Sequence, residues 1–312
     1  MNTDDTGLSG VQVLRDVAYG EAPVGHGTAA ARLRPLLLDV YLPPDGTATG
    51  LRPAVLLSHG GAYHRGSKET DEFDQDGVRN TPVPEYCRRL AARGMVCFSV
   101  GYRLTQELPG PPPQPILRNR GGVARGRIDH VRQLLGLPVA GDDELRDGVE
   151  AAILDVAQAG RFVHAQAATW SVDPQRIALG GFSAGAFASI YAAYALGMPA
   201  AAVVSLSGGM DPADAACHVS GAPGQPPVLL FSSEFDLPGI HDRTMALAGR
   251  AAEVGLRFRR YHVPGRPHFY DRDSPVVLAR SSLPGQAEAA TVGAAITQFL
   301  ADALAPARST QA

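Results

Sequence analysis

The sequence predicts an α/β fold with a mostly parallel central sheet. Short apolar runs that favour β-strands alternate with longer helical stretches along the chain, and this alternation is typical of βαβ units. Several of the runs, such as AVLLS at 54–58 and VLLFS at 228–232, are almost uninterrupted by polar residues. This is the pattern of strands that are covered by helices on both faces.

The individual elements follow from this alternation. The predicted strands are the short β-rich runs at 36–42, 54–58, 95–100, 177–182, 202–206, 228–232 and 258–263. The predicted helices are the longer stretches at 83–93, 145–169, 184–196, 241–254 and 286–304.

Residues 105–142 break the alternation. They contain PGPPPQP, RNRGGVARGR and LLGLPVAG, in which proline and glycine are too dense for a long regular element. Because the sheet pattern resumes afterwards without a change in composition, we interpret residues 1–312 as a single domain with one excursion. A segment of this length predicts a lid or a pocket wall, with a surface insertion of no function as the alternative.

The composition excludes several classes of protein. The chain has 312 residues, of which 45% are apolar, so it can bury a sizeable core. The net charge of −3 and the lack of a basic block argue against nucleic acid as a partner. The three cysteines are scattered, so neither a zinc site nor a disulfide framework is predicted.

No integral membrane segment is predicted. The longest apolar stretch, at 184–206, is interrupted by Gly197-Met198-Pro199 and is better explained by a helix followed by a strand. The N-terminal residues MNTDDTGLSG have neither the basic start nor the apolar core of a signal peptide. We therefore expect a cytoplasmic protein, with a mature secreted form as the alternative.

A serine between two glycines, in GFSAG at 181–185, follows a predicted strand and opens a predicted helix. In such a tight turn the glycines remove Cβ atoms that would clash, and the serine is held in a strained conformation. The hydroxyl then lies at the end of the sheet, beside a helix N-terminus that favours developing negative charge. The pattern predicts that Ser183 is a nucleophile, with an ordinary turn capped by serine as the alternative.

A second glycine-rich segment, SHGGA at 58–62, comes directly after a predicted strand. An acyl-transfer enzyme must stabilise the oxyanion of its tetrahedral intermediate with backbone N–H groups. We expect these donors at Gly61 and Ala62 in this loop and at Ala184 after the serine. His59 is predicted to hold the loop, and a role as the catalytic base is the alternative.

A serine nucleophile needs a base, and the base needs an acid that orients it. An enzyme with this serine motif carries the acid and then the histidine later in the chain. Asp236 follows the end of the strand at 228–232, and Glu234 is the alternative acid. His268 lies on a loop bounded by proline and glycine after the last predicted strand.

Three other histidines follow the serine. His262 lies within a strand and His241 opens a helix, so structural roles fit them better. His218 lies in a loop and stays open as an alternative base.

The motifs together resemble the α/β-hydrolase superfamily, and most closely its carboxylesterase/lipase branch with an HGG oxyanion loop. The resemblance covers about residues 33–304 and implies a mostly parallel eight-stranded sheet flanked by helices. It also implies a Ser183–Asp236–His268 triad and ester hydrolysis without a metal or organic cofactor. The residues that carry it are LDVY at 38–41, Pro43, SHGGA at 58–62, GYRL at 101–104, VDPQRI at 172–177, GFSAG at 181–185, Asp236 and His268.

The sequence departs from the hormone-sensitive-lipase-like branch at two positions. That branch usually has a third glycine in the oxyanion loop and an acid before Tyr-Arg, where this chain has Ala62 and Gly101. Residues 207–227 are also too few for a large helical cap, so any lid must come from the N-terminus or from 105–142.

The expected function is a serine carboxylic ester hydrolase that acts on a small-molecule ester. Tyr63, His64, Phe187 and the 105–142 segment are predicted to line its pocket. The alternatives are another triad enzyme on the same fold (a peptidase, amidase, lactonase or acyltransferase) and a non-catalytic binding protein. A homo-oligomer is compatible with the sequence, which does not fix the oligomeric state.

Overall fold

A computed structural model describes residue 8 and residues 10–44, 50–75, 77–119, 125–283 and 289–306. The strands are β1 (Gln12–Val24), β2 (Arg32–Leu42), β3 (Arg52–Ser58), β4 (Asp74–Gln75), β5 (Val78–Arg79), β6 (Val96–Val100), β7 (Val172–Phe182), β8 (Ala202–Leu206), β9 (Val228–Phe235), β10 (Phe258–Pro267) and β11 (Val277–Ser281). The helices are α1 (Val83–Ala91), α2 (Arg125–Leu134), α3 (Asp142–Ala165), α4 (Ala184–Tyr194), α5 (Pro212–His218), α6 (Pro238–Val254) and α7 (Val292–Ala303).

Nine of the strands form one sheet in the order β1-β2-β6-β3-β7-β8-β9-β10-β11, and β4 and β5 form a separate hairpin. The central strands β6, β3, β7, β8, β9 and β10 pair in parallel in this order. Strands β1, β2 and β11 are antiparallel to their neighbours. The prediction of a mostly parallel sheet is therefore confirmed. The expected number of eight strands is too low, because β11 continues the sheet beyond β10.

Helices cover both faces of the sheet. Side chains of α3, α4 and α6 join one apolar core, and side chains of α1 and α7 join a second core on the opposite face. Along β3, Leu56 belongs to the first core and Val55 and Leu57 belong to the second, as expected for a strand covered on both faces. Within the described ranges, no helix is long and apolar enough to cross a membrane.

The excursion at 105–142 contains more regular structure than predicted. A 3₁₀ turn at Thr105–Glu107 opens it, α2 lies in its second half, and α3 begins at its last residue. The first turn of α3 carries Asp142, Asp143 and Glu144, which complement the positive end of the helix dipole. Residues 120–124 lie outside the described residues.

The last helix begins later than predicted. Thr291 Oγ1 accepts a hydrogen bond from the backbone N–H of Ala294 at 3.3 Å, so the helix begins at Val292. The predicted first residues, 286–288, lie outside the described residues.

The turn from β7 into α4 depends on two glycines. A Cβ atom on Gly181 would lie 2.4 Å from the Ser58 carbonyl oxygen, and one on Gly185 would lie 2.1 Å from the same oxygen. Between them Ser183 has φ 52° and ψ −114°, a strained conformation for a residue with a side chain. The glycines thus allow the end of β3 to pass directly against the start of α4.

We predict that Gly185→Ala lowers the free energy of unfolding by about 1–3 kcal/mol, because the new methyl group overlaps backbone atoms that cannot move aside. Gly249→Ala is the matched control, since a Cβ there meets nothing within 4 Å. In the exposed interior of α6 this control should stabilise the protein by about 0.5–1 kcal/mol. Urea unfolding of both variants tests the pair, and equal effects would contradict the close approach.

Candidate active site

Three side chains from separate strand ends meet beside the turn that contains Ser183. His268, in the loop after β10, has its Nε2 atom 2.9 Å from Ser183 Oγ. Its Nδ1 atom lies 2.6 Å from Oδ1 of Asp236, in the loop after β9. A hydroxyl, an imidazole and a carboxylate are therefore joined by two hydrogen bonds, the order in which acyl transfer needs a nucleophile, a base and an orienting acid.

Asp236 is held as a carboxylate by a network of donors. Its Oδ2 atom accepts hydrogen bonds from Ser207 Oγ at 2.6 Å and from the Ser233 N–H at 3.3 Å, and Oδ1 accepts from the Leu237 N–H at 2.8 Å. Burial alone would raise the pKa of Asp236, but the hydrogen bond and charge of His268, together with these donors, lower it below its ordinary value. The acid therefore stays ionised against the imidazole.

The alternative acid and bases lie in other places. Glu234 is exposed, and its Oε2 atom accepts a hydrogen bond from the Gly265 N–H at 2.7 Å. His218 is the last residue of α5, His241 lies in α6 and His262 lies in β10. Within the described residues, none of these side chains has a hydrogen bond to the serine hydroxyl.

The glycine-rich loop after β3 is held by buried polar groups. The His59 ring stacks on Tyr102 with ring centroids 4.1 Å apart, and its Nδ1 atom lies 2.8 Å from the Gly60 carbonyl oxygen. Burial lowers the pKa of His59 to about 4, so the ring is neutral at pH 7. Through these contacts His59 stabilises the conformation of the loop.

Asp71 also holds this loop, and the sequence analysis did not single it out. Its carboxylate accepts hydrogen bonds from the Gly60 N–H at 2.8 Å and from the Val83 N–H, at the start of α1, at 2.7 Å. Burial raises the pKa of Asp71 to about 6. A polar stretch, SKETDEF at 67–73, gave no sign that one of its acids would lie inside the molecule.

The three residues whose backbone N–H groups are expected to stabilise an oxyanion line the cavities that Ser183 also lines. Ala62, with φ 55°, and Ala184, the first residue of α4, line the main cavity beside Ser183, and Gly61 lines a smaller recess next to it. In the part of the chain that the structure describes, no acceptor takes the N–H of Gly61, Ala62 or Ala184. Backbone donors of the kind that stabilise an oxyanion are therefore left without an acceptor among the described residues beside the cavity.

A cavity of about 490 Å³ opens beside Ser183. Tyr63 and Phe187 line it, in agreement with the sequence-based expectation. The 105–142 segment forms one wall, and residues after β9 form another. The apolar side chains of these two walls are Leu117 and Ile128 on the first and Leu237, Pro238 and Ile240 on the second.

His64 does not line the cavity, contrary to the expectation. Positive φ angles at Ala62 and Tyr63 turn the chain, so neighbouring side chains point to different places. The His64 ring is buried, with Nδ1 at 2.7 Å from the Ala62 carbonyl oxygen and Nε2 at 2.9 Å from Nη1 of Arg132 in α2. Arg132 also pairs with Glu144 at 2.9 Å. The histidine therefore ties the loop after β3 to the wall of the cavity.

A comparison with known protein families finds a match over part of the chain. Residues 145–231 match the phospholipase/carboxylesterase family. Comparison with curated proteins finds no match.

Solved structures of an esterase from the planctomycete Thermogutta terrifontis are similar in fold. Esterase 2 phosphorylated by paraoxon has a TM-score of 0.57 and 18% sequence identity, over 96% of this chain and 97% of that one. The propionate-bound form has a TM-score of 0.53 and 20% identity, over 84% and 85%. The sheet and these similarities together show that the chain has an α/β-hydrolase fold.

We predict that Asp236 contributes stability that depends on pH. Because its pKa is lower in the folded state, the contribution is complete above the unfolded pKa of about 3.8 and is lost as the pH falls through the folded pKa. Urea unfolding of wild type and Asp236→Asn between about pH 2.5 and 7 measures this. Their difference in the free energy of unfolding should shrink below about pH 4. A difference that is constant across this range would contradict the lowered pKa.

Proposed function

We propose that the chain is a serine carboxylic ester hydrolase that works through an acyl-enzyme on Ser183. Support comes above all from the hydrogen-bonded series Ser183–His268–Asp236, which ends beside unpaired backbone N–H groups. The partial match to the phospholipase/carboxylesterase family is consistent with this chemistry.

His268 acts as the base in the first step. With its Nδ1–H donated to Asp236, the neutral imidazole presents the lone pair of Nε2 to the Ser183 hydroxyl. As the serine oxygen attacks the ester carbonyl, Nε2 takes its proton, and the carboxylate stabilises the imidazolium that forms. Because Asp236 is held ionised by its own donors, it keeps the ring in the required tautomer.

The negative charge that develops on the carbonyl oxygen is stabilised by backbone N–H donors. The N–H groups of Ala62 and Ala184, with Gly61 as the third expected donor, are already in place before reaction. Preorganised donors cost no rearrangement in the transition state, and one such donor contributes roughly 3 kcal/mol. The positive end of α4 adds to this stabilisation.

Collapse of the tetrahedral intermediate expels the alcohol, which takes the proton from His268 Nε2. A water molecule then attacks the acyl-enzyme, with the same histidine as base, and releases the carboxylic acid. The cavity of about 490 Å³ accommodates a small organic ester, and its apolar walls favour its carbon skeleton.

Replacement of the nucleophile gives the most direct test. Ser183→Ala should lower kcat for 4-nitrophenyl butyrate by a factor of about 10⁶, because the acyl-enzyme cannot form. Paraoxon, which phosphorylates the similar Thermogutta esterase, should attach one diethylphosphoryl group to Ser183 of the wild type and none to the variant. Mass spectrometry of the labelled peptide reports this.

The same assay separates an esterase from an amidase. Wild type should hydrolyse 4-nitrophenyl butyrate much faster than the matched 4-nitrobutyranilide. Turnover of the ester by Ser183→Ala at the wild-type rate, or labelling at another residue, would overturn the proposal.

The two candidate acids can be distinguished by amide substitutions of matched size. Asp236→Asn should lower kcat by about 10⁴-fold, as the equivalent change does in a serine protease, because the amide favours the wrong histidine tautomer. Glu234→Gln should leave kcat within about twofold, since this side chain is exposed and its one hydrogen bond among the described residues is from the Gly265 N–H. Steady-state kinetics with one ester suffice, and the opposite order of effects would exclude Asp236 as the orienting acid.

A further inference from the structure

The cavity beside Ser183 carries positive charge that no acid neutralises from its lining. Among the described residues that line it are three arginines and a histidine, Arg125, Arg127, Arg243 and His130, and none is an aspartate or a glutamate. The remaining lining is mainly apolar. A substrate that enters therefore meets several cations in surroundings of low polarity, where charges interact strongly.

Two of these arginines have no partner among the residues that the structure describes. Arg125 pairs with Asp129 at 3.3 Å, but the guanidinium groups of Arg127 and Arg243 make no hydrogen bond or ion pair with any described residue. Two buried arginines elsewhere are paired: Arg103 binds Asp155 at 2.8 Å, and Arg132 binds Glu144. A partly buried cation without an acceptor is costly, so these two guanidinium groups are suited to an anionic ligand.

Each free guanidinium group is positioned by an aromatic ring. The Cζ atom of Arg127 lies 5.5 Å from the ring centroid of Phe269, the residue after His268. The Cζ atom of Arg243 lies 6.0 Å from the ring centroid of Phe187 in α4. Contact with a ring fixes the side chain and leaves the N–H groups available for a carboxylate or a phosphate.

A further arginine increases the positive charge near Arg127. Arg65 lines the smaller recess, which Arg127 also lines and which reaches Ser183 and His268. Its guanidinium has no acceptor among the described residues, and its Cζ atom lies 4.2 Å from the Phe73 ring centroid. Burial lowers the pKa of Arg127, and the charge of Arg65 lowers it further. A bound anion would relieve both effects.

We propose that this site is specific for esters that carry an anionic group away from the scissile carbonyl, and that Arg127 and Arg243 determine this specificity. The inference rests on the proposed esterase function and adds the class of substrate. The anionic group is a carboxylate or a phosphate, both of which accept the paired N–H donors of a guanidinium group. The ester carbonyl itself stays neutral.

Matched substrate pairs test the proposal. Monomethyl glutarate is compared with methyl glutaramate, and O-butyrylglycolate with O-butyrylglycolamide, so that only the charge differs on the acyl or on the alcohol side. The methyl esters of 4-phosphooxybutanoate and 4-hydroxybutanoate form a third pair, which distinguishes phosphate from carboxylate. Wild type should show a kcat/KM at least about tenfold higher for the charged member of one or more pairs.

The variants Arg127→Gln, Arg243→Gln and the double variant should reduce that preference, by about tenfold or more in the double variant, measured as the ratio of kcat/KM between the two members of a pair. Arg127→Lys should restore part of it, because the charge remains but the planar pair of donors is lost. Arg161→Gln is the control: this exposed arginine lies in α3, twelve residues or roughly 18 Å beyond Val149 of the cavity lining.

Failure of this inference is distinguishable from failure of the proposed function. If wild type hydrolyses the neutral esters through Ser183 but shows no preference in any pair, only the specificity inference is overturned. A preference that survives in the double variant also overturns it. Loss of the preference in Arg161→Gln would show that the preference arises from the overall charge of the protein, and would likewise overturn the inference. Absence of hydrolysis of every ester would instead contradict the function.

Discussion

The site depends on a close approach of three backbone segments at the carbonyl oxygen of Ser58. The end of β3, the end of β7 and the first turn of α4 meet there, and only the missing side chains of Gly181 and Gly185 allow it. This approach sets the loop that carries Ala62 against the N-terminus of the helix that carries Ala184. The strain at Ser183 is a consequence of the same geometry, because the chain must reverse between strand and helix within one residue.

Much of the fold could be predicted because the central strands are nearly continuous apolar runs. The edge strands carry a weaker signal. β1, QVLRDVAYGEAPV, and β11, VLARS, contain charged residues and are largely exposed, so neither shows the apolar pattern of a buried strand. Helix α2 was missed for a related reason: RGRIDHVRQL follows a glycine-rich stretch and buries only Ile128, Val131 and Arg132. In these elements tertiary contacts outweigh local preference.

The candidate site could be predicted where a motif restricts the backbone or where chain order narrows the choice. Ser183 lies in such a motif, and chain order points to His268. Their proposed roles are nucleophile and base. Asp71 is different, because only folding brings its carboxylate to the Gly60 N–H. The lack of an acceptor for Arg127 among the described residues is equally invisible in sequence, since it depends on where the acids lie after folding. His64 shows a third limit: adjacency to Tyr63 does not fix the direction of a side chain across residues with positive φ.

His64, in the loop after β3, contacts Arg132, which pairs with Glu144. This contact connects the loop to the cavity wall formed by 105–142. Because the loop and the wall are connected, a displacement of one is expected to displace the other. An engineer who enlarges the cavity by trimming this wall would also displace the loop that carries Ala62, a proposed oxyanion donor. Substrate range is therefore better altered from the opposite wall, at Leu237 or Ile240, whose apolar side chains cannot form hydrogen bonds to the loop.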